Sequence, residues 1–165
     1  MSHDDRAYVS VVALFAAVLY LALIVAVFGL IALGANIDVI ADPRIGPLVG
    51  PVMVGACVVT LLILLVWTAV QEPSRRHPVS PVVAVGVGLA CFLVYIVAGV
   101  VSGAVGDPRD ALLYVLFGLE QIGSVFSLSI GVLACVVTLL FQAVLAGRFR
   151  DRGRPRWPWE KDSEE

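Results

Sequence analysis

At 165 residues, 60% of them hydrophobic and 15% charged, the chain has a mean hydropathy of +0.99, and a soluble globular domain carries about a quarter of its residues charged. All the charges but that of Glu120 sit at the two ends and in three short connections, which excludes a separate soluble domain and marks a polytopic membrane protein. A net charge of -2 says nothing about partners, but the distribution of charge does.

Residues 1–7 form a short polar start. The first apolar run, Tyr8 to Leu33, has 26 residues. A span needs about 20, whereas a signal-peptide core has about 7–15, so the run is predicted to stay as an uncleaved transmembrane helix. The first loop carries Asp38, Asp42 and Arg44 among glycine and proline breakers. A second run covers 48–70, with Pro51 tolerated near its start. Glu72, Arg75, Arg76 and His77 mark an aqueous second loop. The third run, 82–105, ends ahead of Asp107-Pro108-Arg109-Asp110.

The last apolar region, Ala111 to Ala146, has 36 residues. As one helix it would be about 54 Å long, against a hydrocarbon core of about 30 Å. Two pieces are therefore predicted, with Gly118 and Gly123 as break points: an apolar interfacial segment over 111–119 and a fourth span over 122–146. The expected fold is an all-α membrane protein. Its transmembrane domain covers 8–146, with four transmembrane helices and the short interfacial segment before the fourth, and a tail follows over 147–165.

Four spans put the N-terminus, the second loop and the tail on one side. Nine of the eleven Lys and Arg residues fall there, and the other loops hold two. The positive-inside rule then places both termini in the cytoplasm of a plasma membrane. Ten of the eleven are Arg, which points to a high-GC bacterial genome.

The stretch Ala56-Cys57-Val58-Val59-Thr60-Leu61-Leu62 returns as Ala134-Cys135-Val136-Val137-Thr138-Leu139-Leu140, an offset of 78. Each copy follows an Asp-Pro-Arg loop, but these loops are offset by 65, which leaves 13 extra residues in the second half, about Asp110 to Ile122. Two parallel hairpin repeats about an axis along the membrane normal would account for the echo; chance identity between two Ala/Val/Leu-rich helices is the alternative. Cys57, Cys91 and Cys135 lie inside apolar runs without metal-ligand spacing, and are expected to be small packing residues.

Projected at 100° per residue, the fourth span gathers Glu120, Gly123, Ser124, Ser127, Gly131, Ala134, Cys135 and Thr138 on one narrow arc. Helices in lipid associate by close backbone approach and interhelical hydrogen bonds, so such an arc is first a packing seam. A subunit seam or the lining of a polar pathway are the rival readings. Gly99 and Gly103, and the small residues Ala84, Gly86, Gly88 and Ala90, give the third span a weaker version of the same chemistry. Glu120 is the one acid in an apolar setting, and so a functional candidate. The offset of 78 aligns it with Asp42, and about 20 residues counted back from Arg148 leave it outside the hydrocarbon. It is therefore expected to be a first-turn acid at a helix N-terminus, with proton or cation handling as the alternative.

In the tail, Arg148, Arg150, Arg152, Arg154 and Arg156 alternate with other residues before Trp157-Pro158-Trp159 and an acidic end. Arginines beside a membrane attract anionic headgroups and tryptophan prefers the interface, so the tail is expected to anchor on the inner leaflet. A docking peptide is the alternative. No nucleic acid is expected, because the tail's own acids offset its arginines.

Four spans followed by the motif Arg154-Pro155-Arg156-Trp157-Pro158-Trp159-Glu160 resemble a family of small uncharacterised membrane proteins from high-GC Gram-positive bacteria, a domain of unknown function. The resemblance implies a habitat and a topology, and no activity. The four-span length is also similar to small multidrug transporters, but those carry a membrane-embedded Glu in the first span, where this chain has no charge. No nucleophile-base pair or ligand cluster stands out, and no enzyme activity, metal or cofactor is expected. Two functions are carried forward: an accessory membrane protein that packs on a partner or on itself, and a small oligomeric transporter or channel using the face from Glu120 to Thr138.

Overall fold

The computed structural model describes residues 3–35, 48–71, 79–106 and 111–151. They form five α-helices and no strand: α1 His3–Ala35, α2 Val49–Gln71, α3 Pro81–Gly106, α4 Ala111–Ile122 and α5 Val125–Asp151. Four of these are long and apolar enough to cross a membrane, over Ala7–Gly34, Val49–Ala69, Pro81–Val105 and Val125–Gly147. The protein is an all-helical, multi-pass membrane protein.

The long helices pack as a ring in the order α1, α2, α3, α5, in which α1 does not touch α3 through its backbone and α2 barely meets α5. Each turns one row of residues inward. On α2 the row is Val49, Met53, Cys57, Leu61, Leu65 and Ala69, every fourth position, the ridge that inserts between neighbouring helices. On α1 it is Val9, Ala13, Ala17, Tyr20 and Ile24. The opposite faces carry Phe15, Val25, Ile63, Val85 and Val132 exposed, as a lipid-facing surface requires.

Backbone groups in hydrocarbon must be satisfied internally, and the hydroxyls inside the bundle follow the same rule. Thr60 donates to the Ala56 carbonyl (2.8 Å) and Thr138 to that of Ala134 (2.7 Å). Ser102 and Ser129 donate to carbonyls three residues back. Hydroxyls also reach between helices: buried Tyr20 donates to the Ile130 carbonyl at 3.1 Å, joining α1 to α5. Replacing Tyr20 with Phe should destabilise the bundle by about 1 kcal/mol, read as a lower midpoint of thermal unfolding in detergent; an unchanged midpoint would show that this bond is idle.

Gly123 is the break point within the last apolar region and Gly118 is not. Gly118 lies inside α4, where its missing side chain admits Val100 of α3. At the break, the Ser124 N–H is bonded to the Gln121 carbonyl (3.2 Å). The Ser124 hydroxyl accepts from the Phe126 N–H (3.2 Å), an N-cap for α5. At the other end of the bundle, the Gln142 side chain accepts from the Ser80 N–H at 2.8 Å and ties the start of α3 to α5.

Candidate functional site

The predicted small-residue arc divides at the helix break. Thr138, Ser127 and Ala134 are buried and Gly131 is half-buried. Gly131 faces Gly88 of α3 so closely that a Cβ built on Gly88 would stand 2.7 Å from the Gly131 carbonyl oxygen and 3.3 Å from the Cys135 Cβ. Gly131 and Cys135 lie at the α3–α5 seam, against Gly88 and Phe92. Ser124 is half-buried and serves as the cap. Glu120 and Gly123 are exposed and do not join the seam. The helical projection fails for them because α4 and α5 are separate helices.

Inward of the break, the polar side chain is Gln121, which is buried and accepts from the Ser127 hydroxyl at 3.4 Å. The sequence signal was the stripe Tyr114, Phe117, Gly118, Gln121, four positions of one helical face. Tyr20 is a second inward polar group that the wheel of the fourth span could not show.

Cys57 and Cys91 face one another across α2 and α3. The Cys57 thiol donates to the Cys91 carbonyl at 3.4 Å, and Cys91 Sγ lies 3.9 Å from the Cys57 carbonyl. Both are buried free thiols, packed as small residues at a close crossing. The repeated heptapeptide does not keep its register of burial. The first copy turns Cys57 and Leu61 inward, and the second turns Ala134, Val137 and Thr138, leaving Cys135 half-buried. The two copies share the threonine back-bond and differ in their inward face by roughly the 100° between adjacent residues of a helix.

α4 packs along α3 and runs antiparallel to it. Space for a side chain at Gly103 is filled by the Tyr114 ring. Gly99 meets Met53 and Phe117, and Gly118 meets Val100 and Ile96. Positions on α4 therefore rise as positions on α3 fall, and the segment is a half-length helix descending beside α3. Its buried face is Tyr114, Phe117, Gly118 and Gln121; Leu112, Leu116, Leu119 and Glu120 are exposed. Glu120 lies in the last turn of α4, so it is not a first-turn acid; α5 has no acid in its first turn and is capped by Ser124. Across from α4, Phe28 of α1 packs edge-on against Phe126 (5.1 Å) and Tyr95 (6.4 Å), which sets the break at the level of Tyr95.

Arg148 and Arg150 fall in the last turns of α5. Arg152, Arg154, Arg156, Trp157 and Trp159 lie outside the described residues, as do both Asp-Pro-Arg loops.

A family model matches residues 1–165, under the description Family of unknown function (DUF6121). The chain belongs to this family. No curated protein and no solved structure matches it. DUF6121 membership brings no reaction with it, so the chemistry rests on geometry. That geometry is a helical bundle in which, among the described residues, the hydroxyls of Tyr20, Thr60, Ser102, Ser129 and Thr138 donate to backbone carbonyls.

Proposed function

We propose that the protein is an accessory component of a bacterial plasma membrane. In this reading it engages a membrane partner through its helix faces and through the arginine- and tryptophan-rich cytoplasmic tail, which also meets anionic headgroups, and it carries no catalysis. The observation that supports this is the use of the small-residue stripe. Gly131 is spent on the Gly88 approach, Thr138 on its own backbone and Ser127 on Gln121. The O–H donors of Ser127 and Thr138 are turned to groups of the protein itself, which supports packing over solute handling.

The rival, a small transporter or channel, needed one continuous polar face from Glu120 to Thr138, and the break before α5 turns Glu120 away from it. Five arginines near the surface attract anionic lipid by about 1 kcal/mol each, enough to hold the tail on the inner leaflet. Deleting residues 154–165 should abolish capture of one dominant membrane partner in crosslinked pulldowns from native membranes. If capture is unchanged and reconstituted protein moves an ion that Glu120→Gln stops, the transporter reading replaces this one.

A further inference from the structure

Among the side chains described, which cover residues 7–34, 48–69, 79–105 and 112–147, Glu120 is the one that carries a formal charge. It projects from the exposed face of α4 beside Leu112, Leu116 and Leu119, all exposed. The register against α3 gives its depth. Phe117 meets Gly99, and Gly118 meets Val100 and Ile96, so Glu120 stands level with about residue 97. The apolar stretch of α3, long enough to cross a membrane, continues to Val105, about eight residues or ~12 Å beyond that level at 1.5 Å per residue. A glutamate side chain is too short to snorkel that distance to the headgroups. Hydrocarbon is a costly surrounding for an ionised carboxylate, and such groups in membranes pair or face protein.

We propose that the exposed face of α4 is a docking surface for a transmembrane helix of another protein, one carrying a lysine or arginine at the depth of Glu120. Charge complementarity chooses this occupant over a second copy of the chain. In a two-fold dimer about the membrane normal every residue keeps its depth, and none of the described side chains is cationic at any level of the bundle. Two copies would bring carboxylate to carboxylate. The apolar neighbours supply the packing surface and Glu120 sets register and partner choice, the role a single buried polar group plays in helix pairing. The inference rests on the accessory reading above and specifies its partner.

The test places a photo-crosslinking phenylalanine derivative at Leu116, and separately at exposed Phe15 on α1, in the full chain in its native membranes. The crosslinked peptides are then sequenced. Leu116 should give one adduct with a membrane-spanning peptide that has a lysine or arginine within a turn of the link. Its yield should fall roughly tenfold in Glu120→Gln, since removing one member of a desolvated charge pair weakens binding by at least that factor. Glu120→Asp should keep most of it. Exchanging charges, Glu120→Lys with the partner's cation changed to Glu, should restore the adduct. Because position 120 is exposed, Glu120→Gln should retain the helical circular dichroism and elution volume of the native protein, which separates lost docking from lost folding. An adduct with a second copy, or with a helix lacking a cation, overturns the charge pairing and leaves the accessory reading standing. Lipid adducts alone at both positions, with no partner captured through the intact tail, overturn both.

Discussion

Gly88→Ala should loosen the bundle, whereas Gly86→Ala, two residues earlier on the same helix, should leave it intact or slightly firmer. The added methyl at 88 would sit 2.7 Å from the Gly131 carbonyl oxygen, and a backbone atom inside a helix cannot step aside as a side-chain end can. Relief requires α3 and α5 to separate along the seam that carries Gly131, Cys135 and Phe92. Overpacking of this kind typically costs about 1–3 kcal/mol. Gly86 is exposed with nothing within 4 Å of a built Cβ, so alanine there brings only its helix preference, a gain of about 0.5–1 kcal/mol. Unfolding of the purified variants in graded denaturing detergent would measure both. Equal and small effects at the two positions would mean that α3 and α5 do not approach at Gly88.

The second large effect lies between α3 and α4. Gly103 and Tyr114 occupy the same space so closely that Gly103→Ala drives a methyl into the ring. The cost is again about 1–3 kcal/mol and should fall on the docking of α4. Tyr114→Ala removes the buried ring and should be destabilising by itself. The informative quantity is the coupling: in the Tyr114→Ala background, Gly103→Ala should become neutral or favourable, an interaction energy of at least about 1 kcal/mol. Additive effects would place α4 elsewhere.

The four long helices were legible because length and hydropathy decide them. The predicted runs 8–33, 48–70 and 82–105 match α1, α2 and α3 to within a few residues, apart from the start of α1, which reaches back to His3 in the polar N-terminus. The extra piece before the fourth span was legible too, since 36 apolar residues exceed any membrane thickness. It emerged as α4 with the break at Gly123. Its direction was not legible. An apolar segment of 12 residues can lie on a surface or descend beside a neighbour, and the decision rests on Gly99 and Gly103 of α3, which make room for Phe117 and Tyr114. Inward faces were only partly readable, because lipid and protein interior are equally apolar. The small residues Ser127, Gly131, Ala134 and Thr138 stood out as a seam. Phe126, Ile130, Val137 and Phe141, equally buried, looked the same as lipid-facing positions. Glu120 falls on that arc only if the last apolar region is one unbroken helix, and α4 and α5 are two.

Depth along α4 is the measurement that bears most directly on the whole arrangement. Spin labels at Leu112 and Leu119 on α4, and at Val105 and Val97 on α3, all occupy exposed positions and report depth in a reconstituted bilayer through their accessibility to oxygen and to a polar nickel complex. Leu119 should lie about 10 Å deeper than Leu112, from seven residues at 1.5 Å each. It should share its depth with Val97, while Leu112 shares that of Val105. Equal, shallow depths for Leu112 and Leu119 would contradict this: α4 would then lie along the membrane surface, Glu120 would be solvated, and no partner would be needed to cover it.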